Sequence, residues 1–178
     1  MKGLKEFGHV QAGLLSQKHY QSHWYQNPDG SLDMPKLLQA FQDFFRENSQ
    51  SWIERFDYKE AGPQLLLQAF LQRVINGGGR INREYGLGRG RTDLLVTWPT
   101  TDEGFLGPIQ KIVIELKIQH KSLEHTLQTG LEQTAAYAQT AGTKDAHLII
   151  FNRDPDVSWD TKCFHQTHTT SNIQVWGM

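Results

Sequence analysis

Asp93 is followed, after twenty-one intervening residues, by Glu115-Leu116-Lys117, which lies inside the apolar run Ile112-Val113-Ile114-Glu115-Leu116-Lys117-Ile118. A strand alternates its side chains between two faces, so Glu115 and Lys117 project from one side while Ile114 and Leu116 enter the other. Arg91-Thr92-Asp93-Leu94-Leu95-Val96 reads as a second strand that carries Asp93 near its beginning. If the two strands pair, two carboxylates and one ammonium converge. Two carboxylates can hold a hard divalent cation, and a neighbouring lysine can bind an anionic oxygen or help to activate water. Hydrolysis of a phosphodiester needs those parts.

The elements that must position these residues are marked by a change of period along the chain. Leu37, Leu38, Phe41, Phe44, Phe45 and Ile53 recur at helical spacing from Met34 to Arg55, with Asp33 as N-cap and Pro35 in the first turn. The preceding segment is aromatic and polar, holds the turn Asn27-Pro28-Asp29-Gly30, and reads as a peripheral or linking piece. A second helix fits Ala61 to Asn76 and ends at Gly77-Gly78-Gly79. Beyond it, segments from Arg80 to Tyr85, Thr92 to Trp98, Lys111 to Ile118 and Ala146 to Phe151 are rich in β-branched residues and read as strands. A helix from Ser122 to Thr140, striped by Leu123, Leu127, Leu131, Ala135 and Ala138, separates the third strand from the fourth. Two weaker strands are expected around Lys162 to His165 and Ile173 to Trp176.

A chain of 178 residues, 38% hydrophobic and 21% charged, has the size and composition of one ordinary globular domain with a core of its own. No apolar run reaches the roughly 20 residues of a membrane helix, and the start Met1-Lys2-Gly3-Leu4-Lys5-Glu6 lacks a signal-peptide core. The expected location is therefore cytoplasmic, with no membrane partner. A single cysteine, Cys163, excludes an internal disulfide and agrees with a reducing compartment. The net charge of −1 gives no overall attraction to nucleic acid. Any such role must rest on local charge, and Arg80, Arg83, Arg89, Arg91, Lys111, Lys117 and Lys121 cluster around the two acid-bearing strands in sequence.

Gln133 and Tyr137 stand four residues apart on the helix that follows Lys117 and share one face of it. A glutamine can orient a lysine or a water, and a tyrosine can contact a phosphate or stack on a base. The order helix, three strands, helix, strand, carrying Arg91-Thr92-Asp93, Glu115-Leu116-Lys117 and Gln133-X-X-X-Tyr137, resembles the PD-(D/E)XK nuclease superfamily, also called restriction-endonuclease-like. The resemblance covers about Tyr58 to Phe151. In Gly90-Arg91-Thr92-Asp93-Leu94 and Leu131-Glu132-Gln133-Thr134-Ala135-Ala136-Tyr137 the chain is most similar to nuclease-like domains found C-terminal to AAA-type ATPase-like regions in uncharacterised bacterial proteins. Thr92 stands where the superfamily's name places proline.

The resemblance implies an α/β fold with a mixed central sheet flanked by helices. It implies that residues 58–178 form the nuclease-like domain and that residues 1–57 are a helical extension or linker. It also implies that Asp93 and Glu115 bind Mg²⁺ or Mn²⁺, that Lys117 orients or deprotonates the attacking water, and that Gln133 and Tyr137 assist. The superfamily often adds an acid from the first helix. Glu60 matches that position, and Glu84 on the first strand competes with it.

Other signals are weaker. Gly86-Leu87-Gly88-Arg89-Gly90 joins two strands and reads as a hairpin turn, and no Gly-X-X-X-X-Gly-Lys-Ser/Thr motif supports ATP hydrolysis by this chain. Cys163, His165 and His168 make a poor zinc set without a fourth ligand. His120, just after the acid-bearing strand, reads as a surface residue. The expectation is a metal-dependent nuclease, acting on DNA before RNA by family similarity alone. The alternative is a catalytically inactive nuclease-like module that binds a partner protein or an ATPase through Phe41, Phe44 and Phe45.

Overall fold

A computed structural model describes residues 24–53, 61–87, 90–120 and 122–178. Helices α1 (Met34–Ile53) and α2 (Ala61–Ile75) precede strands β1 (Arg80–Leu87), β2 (Gly90–Pro99) and β3 (Ile109–Ile118). Helix α3 (Leu123–Ala141), strand β4 (Asp145–Phe151), the short helix α4 (Trp159–Lys162) and strands β5 (Phe164–Thr167) and β6 (Gln174–Gly177) follow. The strands form one six-stranded mixed sheet in the order β1-β2-β3-β4-β6-β5. β1, β2 and β3 run antiparallel, β3, β4 and β6 run parallel, and β5 closes the edge antiparallel to β6. The fold is α/β, and β3 is interior, as a run of apolar residues around two charges implies.

Strand periodicity divides the core in two. Leu94, Val96, Ile112, Ile114, Ile149 and Phe151 face α1 and α2, in one cluster with Leu37, Leu38, Phe41, Leu67 and Leu71. Leu95, Val113, Leu148, Ile150 and Val175 face the other way and meet Ala138 and Ala141 of α3. Helix α1 therefore belongs to the core of the sheet. Phe41 is fully buried, Phe45 is buried against Phe151 and Trp159, and Phe44 packs on the same cluster. Phe41 and Phe45 thus form interior, and Phe44 is partly covered by the same cluster.

The segment ahead of α1, expected to be peripheral, is docked on the sheet. Tyr25 is buried edge-on to Trp98, and the Trp98 indole donates to the Gly30 carbonyl at 2.9 Å. Gln110 donates to the Leu32 carbonyl and accepts from the Leu32 amide. Gly30 has φ of 82°, and a Cβ there would lie 2.2 Å from the Thr100 carbonyl oxygen, so only glycine serves. Asp33 caps α1 by accepting from the Lys36 amide at 3.1 Å.

Helix α3 begins at Ser122, whose hydroxyl accepts from the His125 amide, and ends at Gly142 in the left-handed conformation. Its buried positions are Thr126, Gly130, Thr134, Ala138 and Ala141. The expected leucine stripe is off centre: Leu123 is exposed, and Leu127 and Leu131 are only partly covered. Small residues let the helix backbone settle on the strands, and a Cβ on Gly130 would lie 2.7 Å from both methyl groups of Leu148.

Replacing Phe41 with alanine should lower the unfolding free energy of the chain by about 3–5 kcal/mol, as for other buried aromatics. Urea unfolding should show one transition shifted to lower denaturant. A midpoint equal to that of the wild type would mean that α1 is not part of the cooperative core.

Candidate functional site

Paired residues of β2 and β3 run from Pro99↔Ile109 to Leu94↔Ile114 and stop there. Asp93 and Glu115 are the next residues across, at the point where the ladder lets go. The Leu116 amide turns to the Asp93 side chain and donates to Oδ2 at 2.8 Å. The ends of the two strands are thus held by a carboxylate, which fixes Asp93 beside Glu115. Alternation along β3 sets Glu115 and Lys117 on the face that Val113 shares with α3. Asp93 lies on that face too, two residues before Leu95.

Glu115 is only 4% exposed. Its Oε1 accepts from Lys117 Nζ at 2.8 Å, and the Lys117 side chain keeps 24% of its surface. The Asp93 main-chain N–H favours the charged form from nearby. No donor among the described residues stands in hydrogen-bonding geometry at the buried Oε2. A desolvated carboxylate oxygen without a partner is costly, and a cation or a hydrogen-bond donor would satisfy it.

The electrostatics point the same way. Burial pushes the Glu115 carboxyl above its ordinary range and the nearby Asp93 charge adds to the rise, against the pull of Lys117. Burial likewise raises Asp93, opposed by the Leu116 amide and by Lys117, and reinforced by the charge of Glu84. Two like-charged, half-dry groups are held together by one lysine. The donor set, hard carboxylate oxygens with one left unsatisfied, fits Mg²⁺ or Mn²⁺ at Asp93 and Glu115. Among the described residues, however, no three His, Cys, Asp or Glu side chains stand close enough together to hold a metal ion.

The remaining candidates are spread more widely. Tyr137 is half-buried on the α3 face of the sheet and packs at Gly90, where a Cβ would lie 2.7 Å from its ring. That is three residues along β2 from Asp93, or about 10 Å of strand. Gln133, one turn earlier on α3, is exposed and makes no hydrogen bond with Lys117 among the described residues. Glu60 lies outside the described residues, whereas Glu84 is on β1. Arg80 and Lys111 are both paired with Thr97, four positions along β2 from Asp93, and Arg80 covers the Phe105 ring. Arg89 and Lys121 lie outside the described residues.

A polar cavity of about 490 Å³, lined by Asp33, Lys144, Asp145 and His147 among others, opens at the other end of the sheet. His147 there is fully buried and held between Asp145 and the Trp176 indole, an interior network without a local signal in the residues. His165 stacks on Trp176 and His168 bonds Ser171, so each has a structural contact apart from any zinc. No helix among the described residues is long and apolar enough to cross a membrane. The chain matches no family model, no curated protein and no solved structure.

The raised carboxyls make a stability prediction. Because the folded state holds these protons more tightly than the unfolded chain, both groups favour folding in acid. That contribution is lost as pH climbs from the ordinary carboxylate range through the raised folded values. Glu115→Gln, which removes the buried charge, should therefore raise the melting temperature at pH 7.5 in chelator and leave it near the wild-type value at pH 4. A variant less stable than the wild type at pH 7.5 would show that the Lys117 ion pair outweighs the desolvation.

Proposed function

We propose that the chain is a metal-dependent nuclease that hydrolyses phosphodiester bonds of nucleic acid, DNA before RNA, on a restriction-endonuclease-like core. One observation carries the reading: a buried Glu115 carboxylate, with Lys117 on one oxygen and, among the described residues, no donor in hydrogen-bonding geometry on the other, stands next to Asp93 where β2 and β3 cease to pair. A purely structural ion pair does not require a second acid whose charge makes it worse. The order of two helices, three antiparallel strands, a crossover helix and a parallel strand, with the acids on adjacent strands, supports the same family likeness.

Asp93 and Glu115 would hold Mg²⁺ or Mn²⁺. When bound, such a cation supplies Lewis-acid polarisation of the scissile phosphate and lowers the pKa of water. The chain's own groups do the rest. The Leu116 amide fixes the Asp93 carboxylate through Oδ2. Glu115 Oε1 holds Lys117 Nζ in place, so the ammonium can donate to a phosphoryl oxygen and offset the charge that grows there during in-line attack. Tyr137, seated over Gly90, offers a ring and a hydroxyl to a nucleotide on the exposed side.

A rival reading, a nuclease-like module that binds without cutting, is favoured by the lack of a three-ligand cluster among the described residues. Incubation of the purified chain with supercoiled and single-stranded DNA, with Mg²⁺ or Mn²⁺ and with chelator, separates the two. Cleavage should require the cation and should fall by about 100-fold or more in Lys117→Ala, assayed at a temperature where circular dichroism shows the variant folded. Cleavage by Lys117→Ala at the wild-type rate would refute the role given to that residue. Failure of the wild type both to cut and to bind Mn²⁺ would favour the rival.

A further inference from the structure

Beyond Leu94 and Ile114 the sheet forks. β2 stays paired with β1 as far as Leu87↔Gly90, and β3 stays paired with β4 as far as Ile118↔Phe151, but β2 and β3 pair with each other only up to Leu94↔Ile114. Asp93 and Glu115 are the first residues on the two arms. A side chain crosses the vertex on each face of the sheet. On the α3 face Asp93 Oδ2 accepts from the Leu116 amide at 2.8 Å. On the opposite face, which Leu94 and Ile114 share with α1 and α2, the Thr92 hydroxyl donates to the Ile114 carbonyl at 3.2 Å. Thr92 is fully buried. Its other contact, to the Leu94 carbonyl at 3.5 Å, is at the limit of a hydrogen bond, so its single proton is better used on Ile114.

We propose that Thr92 is a positioning residue of the cation site, whose hydroxyl pins the vertex of the fork and so sets the spacing of Asp93 and Glu115 across it. The inference rests on the metal-dependent reading above and adds to it a group that touches neither cation nor substrate. The bond joins the residue before one acid to the residue before the other. A valine would fill the same volume on this apolar face, and a buried hydroxyl without a partner is costly, so the donated bond is what a threonine adds there. The Asp93 bond uses the carboxylate that is offered to the cation, whereas the Thr92 bond is independent of it. Oxygen ligands of Mg²⁺ sit at about 2.0–2.1 Å in near-ideal geometry, so a fork wider by about 0.5 Å takes one acid out of range.

The test is titration calorimetry of MnCl₂ into the full chain, with wild type, Thr92→Val, Thr92→Ser and Thr134→Val, at a temperature where circular dichroism shows each of them folded. Thr134 is the control. It is equally buried, and its hydroxyl donates to the Gly130 carbonyl at 2.7 Å, but within α3 and not across the fork. Thr92→Val keeps the shape of the side chain and should weaken Mn²⁺ binding at least about tenfold. Thr92→Ser, which keeps the hydroxyl and loses a methyl group, should bind Mn²⁺ near the wild-type affinity. Thr134→Val should do the same even where its melting temperature falls, so that affinity follows the hydroxyl at position 92 and not stability. Equal Mn²⁺ affinity in the wild type and Thr92→Val would overturn the inference and leave the two-carboxylate site standing. A loss in Thr92→Ser or Thr134→Val as large as that in Thr92→Val would overturn it as well, as an effect of packing or stability. Absence of saturable Mn²⁺ binding by the wild type would overturn both the inference and the reading on which it rests.

Discussion

Alternation along β3 is the constraint from which the other features follow. With Ile112, Ile114 and Leu116 committed to α1 and α2, Val113, Glu115 and Lys117 have no choice but the α3 side. A slip of one residue would drive two charges into the larger cluster and expose its isoleucines. Register and charge placement are therefore one fact. The apolar content of β3 makes it an interior strand, and the interior position makes its acid a desolvated one.

The desolvation is tolerated because it is incomplete and shared. Lys117 takes one oxygen of Glu115 while keeping contact with solvent, and the Leu116 amide, released by the ladder, goes to Asp93. Each group is partly satisfied by a neighbour that the end of strand pairing makes available. What remains is an excess of negative charge over donors, centred on one glutamate oxygen. Stability would favour filling such a spot with neutral or apolar groups, so its persistence marks a local conflict of the kind found where folds are bent to a task.

Much of this was legible in the residues. Strand ends fell within about two positions of those observed, and Ser122, Asp33 and Gly142 marked helix ends through side-chain or backbone chemistry that depends only on local sequence. The face of α3 was read less well, since hydropathy weights leucines whereas close approach weights Gly130, Thr134 and Ala138, which carry little hydropathic signal. The docking of residues 24–33 depends on Trp98 and Gln110, some 70 to 80 positions away, and nothing local announces it. Glu84 was visible as an acid, but its place opposite Asp93 depends on hairpin register and on a backbone angle that no composition encodes.

The contact between Tyr137 and Gly90 adds a tie between the β1–β2 hairpin and α3 to the core cluster that Leu95 already shares with Ala138 and Ala141. The β1–β2 hairpin forms one edge of the sheet, whereas α3 is anchored by its small residues to the interior strands. The Tyr137 ring and hydroxyl fill the space that a Cβ at position 90 would need, at 2.7 and 2.9 Å from it. Any residue other than glycine at position 90 would have to displace either the tyrosine or the strand, so one small residue sets how closely the sheet edge can approach the helix.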